Sequence, residues 1–341
     1  MANMKNTDWV DYAKAIGIIL VVYGHVARGL YNAGIESSVT LYKLVDSIIY
    51  SFHMPLFFFL SGLFFYSSFS KRGGKQLVFS KVDTIFYPYL VWSIFQGSIE
   101  VFLSGYTNTG NISFSDVLAL LWAPRAQFWF LYALFVIFVV SSAIYSVVPK
   151  RLSILVFLLA ILLYLFPSVL PDLNFYHFLS RYFVFFSFGI IFMMYVKIEY
   201  ISTTFTFFVS LVAFVVCQWL FHDYLSLNYK DKGIESLLLA FISIIFMISS
   251  AIYLSNKSYG YLVFIGKSSM AIYLMHILAG SGIRIILHNF FVVDSYFVHL
   301  VLGFLVGVLA PLAILKIINS LKIPYVFSAP VSACLKFSIK K

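Results

Sequence analysis

The sequence is short of charge. Only 11% of its 341 residues are Asp, Glu, Lys or Arg, where a soluble globular domain carries about 25%. That deficit excludes an ordinary soluble domain. Acidic residues are scarcer than basic ones, 13 against 23, and the formal charge is +10. A nucleic-acid binder would gather such an excess into one patch. Here the basic residues fall between apolar runs, the pattern of membrane-topology determinants, so no nucleic-acid partner is expected. Cysteine is nearly absent. Cys217 and Cys334 make no disulfide framework and have no metal-ligand spacing, so no metal site is expected. The N-terminus lacks a short apolar region followed by a small-residue cleavage site, so no cleaved signal peptide is expected. There is no internal repeat or low-complexity tract.

Apolar residues are abundant instead. They make up 62% of the chain, with 39 Phe and 24 Tyr suited to lipid-facing surfaces and interfacial belts. Runs of spanning length predict ten transmembrane helices, at about 11–30, 45–66, 84–104, 127–147, 152–170, 179–196, 203–221, 235–254, 268–288 and 296–317. The expected fold is an all-α polytopic membrane protein, one membrane domain over 1–341 without an extracytoplasmic soluble domain. With the N-terminus inside, sixteen Lys and Arg fall on the inner side and seven outside. The positive-inside rule then predicts both termini in the cytoplasm.

Polar residues inside the spans are the candidates for chemistry, because their burial in lipid is costly and they usually face protein or a wet cavity. In the first span, DYAKAIGIILVVYGHVAR, Lys14 and His25 lie eleven residues apart. That is close to three helical turns, so they share a face, with Asp11 and Arg28 on nearly the same stripe. The rise between them is about 16 Å. The bland alternatives are a snorkelling Lys14 partnered by Asp11, and a hydrogen-bonded core histidine.

Three further stretches carry candidates. The second span contains SFHMPLFFFLSGLFF, where Pro55 and Gly62 interrupt the helix and His53 lies near mid-depth. The alternative is a kinked packing helix with a satisfied histidine. KRGGKQLVFSK, residues 71–81, is expected as a cytoplasmic loop, either a topology anchor or a docking surface for a phosphate-bearing ligand through Lys71, Arg72, Lys75 and Lys81. The ninth span, GKSSMAIYLMHILAGSGIR, places Ser269, Tyr273, His276, Gly280 and Arg284 on one face. Ser269 and Tyr273 also suit interhelical hydrogen bonding. Arg125 opens the fourth span at the outer interface, and 222–235 is the most polar outer segment, expected to be solvated.

This ordered set resembles the acyltransferase 3 family of integral membrane O-acyltransferases. The residues that carry the resemblance are Asp11, the Lys14 to His25 spacing, FHMPLFFFLSG from Phe52 to Gly62, FWFL from Phe128 to Leu131, and IGKSSMAIYLMH from Ile265 to His276. It is nearest to the branch that modifies sugars on bacterial surface polysaccharides. The resemblance implies a multi-pass protein of the bacterial inner membrane, with an acyl-CoA donor, commonly acetyl-CoA, and a lipid-linked or polymeric glycan acceptor. No bound cofactor is implied. One departure is Lys14, where the family usually has Arg. Lysine keeps the charge and loses the bidentate fork.

On that resemblance His25 is the expected base, because an imidazole titrates near working pH and a sugar hydroxyl needs deprotonation as it attacks. An acetyl-His25 intermediate is the alternative route. Asp11, His53 and His276 complete the expected catalytic set. Lys14 and the 71–81 basic residues would meet donor phosphates, and Arg125, Tyr273 or Arg284 would serve the oxyanion or the acceptor. The rival reading is a transporter or flippase for a glycan or small anion, which also uses intramembrane His and Lys. A pair of interrupted helices at matching positions in two halves, which transport would favour, is not seen.

Overall fold

The computed structural model describes residues 8–35, 38–104, 112–171 and 173–333. Cys334 and the basic residues Lys5, Lys336, Lys340 and Lys341, used above for topology, lie outside the described residues. The described residues form fourteen α-helices and no strand, an all-α membrane fold as the composition requires. They are α1 (Trp9–Asn32), α2 (Val39–Leu63), α3 (Phe65–Arg72), α4 (Gly74–Lys81), α5 (Tyr87–Phe102), α6 (Phe114–Leu118), α7 (Trp129–Val147), α8 (Ser153–Leu165), α9 (Asn174–Tyr195), α10 (Thr204–Trp219), α11 (Ile234–Ser255), α12 (Gly260–Lys267), α13 (Ser269–Asn289) and α14 (Tyr296–Ser320).

Eight helices, or helical runs, are long and apolar enough to cross a membrane. The expected third span is helical over nearly its whole length, and the expected fifth is shorter. The third is α5 entered through a π-helical turn at 82–86, and the fifth is α8, which has 13 residues and ends before Pro167. The expected 71–81 loop is also helical. Gly73, with φ +74°, takes a conformation that L side chains rarely adopt and breaks the helix between α3 and α4.

The chain divides into two compact units. The first comprises residues 1–60 and 196–320, that is α1, most of α2, and α10 to α14. Within it α1 is the hub, packed against α11, α12, α13 and α14. Glycines make this close packing possible. Gly303 and Gly307 of α14 stand four residues apart and receive Val26 and Val22 of α1; a Cβ at either glycine would come within 2.8 Å of the valine. This is the small-residue spacing that lets membrane helices approach. At the other end of α1, a Cβ on Gly266 of α12 would overlap the Asp11 carbonyl. The glycine of the IGKSS stretch therefore sets α12 against the turn that carries Asp11 and Lys14.

The second unit comprises residues 61–195 and 321–341. Its core is aromatic, with Phe65 against Phe138, Tyr145 and Phe186 at centroid separations of 5.5–6.1 Å. The C-terminal segment straps onto α5 and its π turn. Trp92 Nε1 donates to the Val326 carbonyl at 2.9 Å, and the Asp83 carboxylate accepts from the Ser332 amide and hydroxyl at 2.8 and 2.6 Å.

Candidate active site

Three helices of the first unit bring histidines together. His25 comes from α1, His53 from α2 and His276 from α13. The His25 and His276 rings meet edge to face with centroids 5.0 Å apart. Tyr50 joins the group, 4.4 Å from the His53 ring centroid and 6.4 Å from that of His25. His53 and His276 are fully buried, while His25 keeps partial exposure.

All three imidazoles are held in the same way. Each Nδ1–H donates to a carbonyl of its own helix: His25 to Val21 at 3.0 Å, His53 to Ile49 at 2.8 Å, and His276 to Ile272 at 3.1 Å and Tyr273 at 2.8 Å. A carbonyl can only accept, so the bond fixes the tautomer. Nε2 is left as the lone-pair nitrogen on each ring. The His53 and His276 Nε2 atoms are buried and meet no partner among the described residues. The arrangement follows from helix geometry, since a histidine can reach the carbonyl one turn back while its Nε2 projects outward.

Toward the end of α1 beyond His25 lies an ion pair that the spacing did not disclose. Arg28 binds Asp46 of α2 through two parallel bonds, Nε to Oδ1 at 2.7 Å and Nη2 to Oδ2 at 2.9 Å. The same guanidinium stacks on the Tyr50 ring, 3.2 Å from its centroid, and lies 5.1 Å from that of Tyr229. Behind it Ser47 is fully engaged. Its Oγ accepts from the Tyr229 amide at 2.9 Å and donates to His222 Nε2 at 2.8 Å, while His222 Nδ1–H donates to the Gln218 carbonyl at 3.0 Å. The segment at 222–235, expected to be solvated, is not wholly so: His222 and Tyr229 pack onto α2.

Lys14 and Asp11, three residues apart on α1, form an ion pair at 3.3 Å with side-chain exposures of 38% and 22%. Such an exposed pair contributes about 0–1 kcal/mol, so Lys14 can be diverted to another anion at small cost. Tyr273 stands one turn before His276 with its ring centroid 6.2 Å away, and Arg284 lies two turns further along α13, partly exposed. Among the described residues no three His, Cys, Asp or Glu side chains are grouped to hold a metal ion.

The remaining candidates belong to the second unit. Arg125 Nη2 pairs with Glu100 at 2.9 Å, and Glu100 also accepts from Gln96, which is doubly bonded to Gln127. Arg125 is thus committed to a buried polar network around Gly97. Lys71, Arg72 and Lys75 are exposed on α3 and α4, and Arg72 bonds Ser80 at 3.2 Å. Lys81 differs from them. Its ammonium sits 4.3 Å over the buried Phe138 ring, and burial together with the Arg72 charge pushes its pKa down to about 8.

A model of the acyltransferase domain matches residues 7–316. The chain is similar to Nodulation protein NolL of Mesorhizobium japonicum, 28% identical over 159 residues that cover 45% of this chain and 39% of that protein. It thus spans about two-fifths of the length of this curated relative. No solved structure matches. The match to the acyltransferase domain covers nearly the whole chain, and the chain belongs to the acyltransferase 3 family of membrane acyltransferases.

Proposed function

We propose that the protein moves an acyl group, acetyl in the simplest case, from acyl-CoA to a hydroxyl of a lipid-linked or polymeric glycan at the bacterial inner membrane. The observation that carries this reading is the tautomer of His25. With Nδ1–H held by Val21, the lone pair of this partly exposed histidine stays on Nε2, on a helix that also bears Lys14. That is the form a general base needs at neutral pH.

The chemistry then runs on this chain's own residues. The acceptor hydroxyl attacks the thioester carbonyl as His25 Nε2 takes its proton. The imidazolium returns that proton to the departing CoA sulfur. The His276 ring, edge to face with His25, limits its rotation, and His53 stands beside Tyr50. Asp11 holds Lys14 in place until a donor phosphate replaces it. In the second unit, Lys71, Arg72, Lys75 and Lys81 form a basic surface that attracts the anionic donor from the cytoplasmic side, where acyl-CoA is made. Arg28, already paired with Asp46, braces the Tyr50 ring beside the histidine cluster.

The alternative, a transporter for a glycan or small anion, needs no acyl donor. One experiment separates the two. Membranes containing the protein are given radiolabelled acetyl-CoA and the glycan fraction is counted. Label in base-labile ester on glycan supports transfer; glycan moved across the membrane without label supports transport.

A further inference from the structure

One donor in the histidine cluster has no acceptor. The Tyr50 hydroxyl is screened from solvent and has no hydrogen-bond partner among the described residues. Buried hydroxyls are ordinarily bonded, so one that is not calls for a reason. The ring itself is fixed on several sides. Arg28 covers one face at 3.2 Å, held there by its two bonds to Asp46, and the His53 ring meets it at 4.4 Å. Gly24, the neighbour of His25 on α1, leaves the room: a Cβ there would lie 3.0 Å from Tyr50 Cε2 and 3.5 Å from its hydroxyl oxygen. The hydroxyl therefore lies beside the turn that carries the proposed base. A cation over the ring face also draws electron density from the phenol and makes its O–H a stronger donor.

From these contacts we infer that Tyr50 is a catalytic residue, the hydrogen-bond donor to the oxyanion of acyl transfer. The assignment rests on the acyl-transfer reading above. As the acceptor oxygen bonds to the thioester carbon and His25 takes the proton, the carbonyl π pair moves onto oxygen. Tyr50 O–H donates to that oxyanion. The pair then re-forms C=O, the C–S bond breaks, and the thiolate takes the proton from His25. Tyr50 keeps its own proton throughout, so the step balances without a further reactant. A donor aimed in advance at the developing charge stabilises the transition state more than the ground state. Among the other candidates for this role, Arg125 is already paired with Glu100. Sequence reasoning passed over Tyr50 because it is one of 24 tyrosines and its neighbours come from other helices.

The test is Tyr50→Phe, assayed beside the wild type for acetyl transfer with donor and acceptor varied. Phenylalanine keeps the ring under Arg28 and deletes only an unpartnered hydroxyl, so abundance and thermal midpoint should equal or exceed wild type. The expected result is a kcat lower by roughly 10²–10³-fold with both KM values within about twofold. Gly24→Ala supplies the second measurement. It displaces the hydroxyl without removing it, should lower kcat about tenfold or more, and should add little on the Tyr50→Phe background. A wild type that transfers acetyl while Tyr50→Phe stays within about threefold of it overturns the assignment alone. So does a loss carried by KM, or an additive loss in the double variant. A wild type with no transfer overturns the acyl-transfer reading, and the assignment with it.

Discussion

Asp46 should hold the first unit together through Arg28, and its removal gives a magnitude that can be worked from the structure. The pair is bidentate at 2.7 and 2.9 Å, with side-chain exposures of 29% for Arg28 and 10% for Asp46. Unit charges at contact attract by about 4 kcal/mol at an effective dielectric near 20. Much of that offsets the cost of bringing both charges out of water, so the net value of the pair is small. Breaking it is a different matter. Asp46→Ala leaves a guanidinium in a spanning helix with no counter-charge, which for a buried pair costs about 3–5 kcal/mol. Arg28 retains some access to water, so the expected loss is nearer about 2–3 kcal/mol. Arg28→Met should cost less, because Asp46 is the more buried partner but can protonate. The double variant Asp46→Ala with Arg28→Met should recover most of the Asp46→Ala loss, since no charge is left unpaired. The assay is the apparent thermal midpoint of detergent-solubilised protein for all four forms, read as a double-mutant cycle. An Asp46→Ala protein as stable as wild type would refute the reasoning, as would a double variant whose loss is the sum of the singles.

Three other outcomes are expected. Gly266→Ala drives a methyl into the Asp11 carbonyl, so it should shift α12 off α1, cost about 1–3 kcal/mol or more, and raise the donor KM by displacing Lys14; unchanged donor kinetics on membranes would count against the packing argument. Cysteines placed at exposed Lys75 and Lys230 should differ in intact cells, with the impermeant thiol reagent labelling position 230 and sparing 75, and the reverse pattern overturns the proposed orientation. Lys81, with its pKa pushed down to about 8, is charged below that pH and neutral above it, so donor KM should rise as pH passes upward through about 8, and Lys81→Arg should abolish the rise; a flat profile in the parent would remove Lys81 from the donor site.

The sequence disclosed some of this arrangement and not the rest, for physical reasons. Lys14 and His25 were legible because helical periodicity alone puts them on one stripe, and a charge or imidazole within an apolar run stands out. His53 and His276 were legible for the same reason. Their convergence on His25 was not, because periodicity fixes a face of one helix and says nothing about which helix that face meets. Arg28 was placed on the stripe, yet Asp46, at the start of the predicted second span, carried no sign of being its partner. The paired glycines at Gly73 and Gly74 suggested a loop. In the structure Gly73 breaks a helix and Gly74 opens the next, packed so that a Cβ would lie 3.1 Å from the Ser146 hydroxyl. His222 was assigned to a solvated segment by the polarity of its neighbours, while its bond to Ser47 depends on an approach across 175 residues of chain.

The central claim is that His25 Nε2 is the base for acyl transfer, and His25→Ala measured for acetyl transfer on membranes tests it most directly. The account predicts normal abundance and loss of essentially all label from glycan, because among the described residues the imidazole hydrogen-bonds only its own helix, so its removal should leave the fold intact. A normally expressed His25→Ala protein that still acetylates glycan at near the wild-type rate would contradict it.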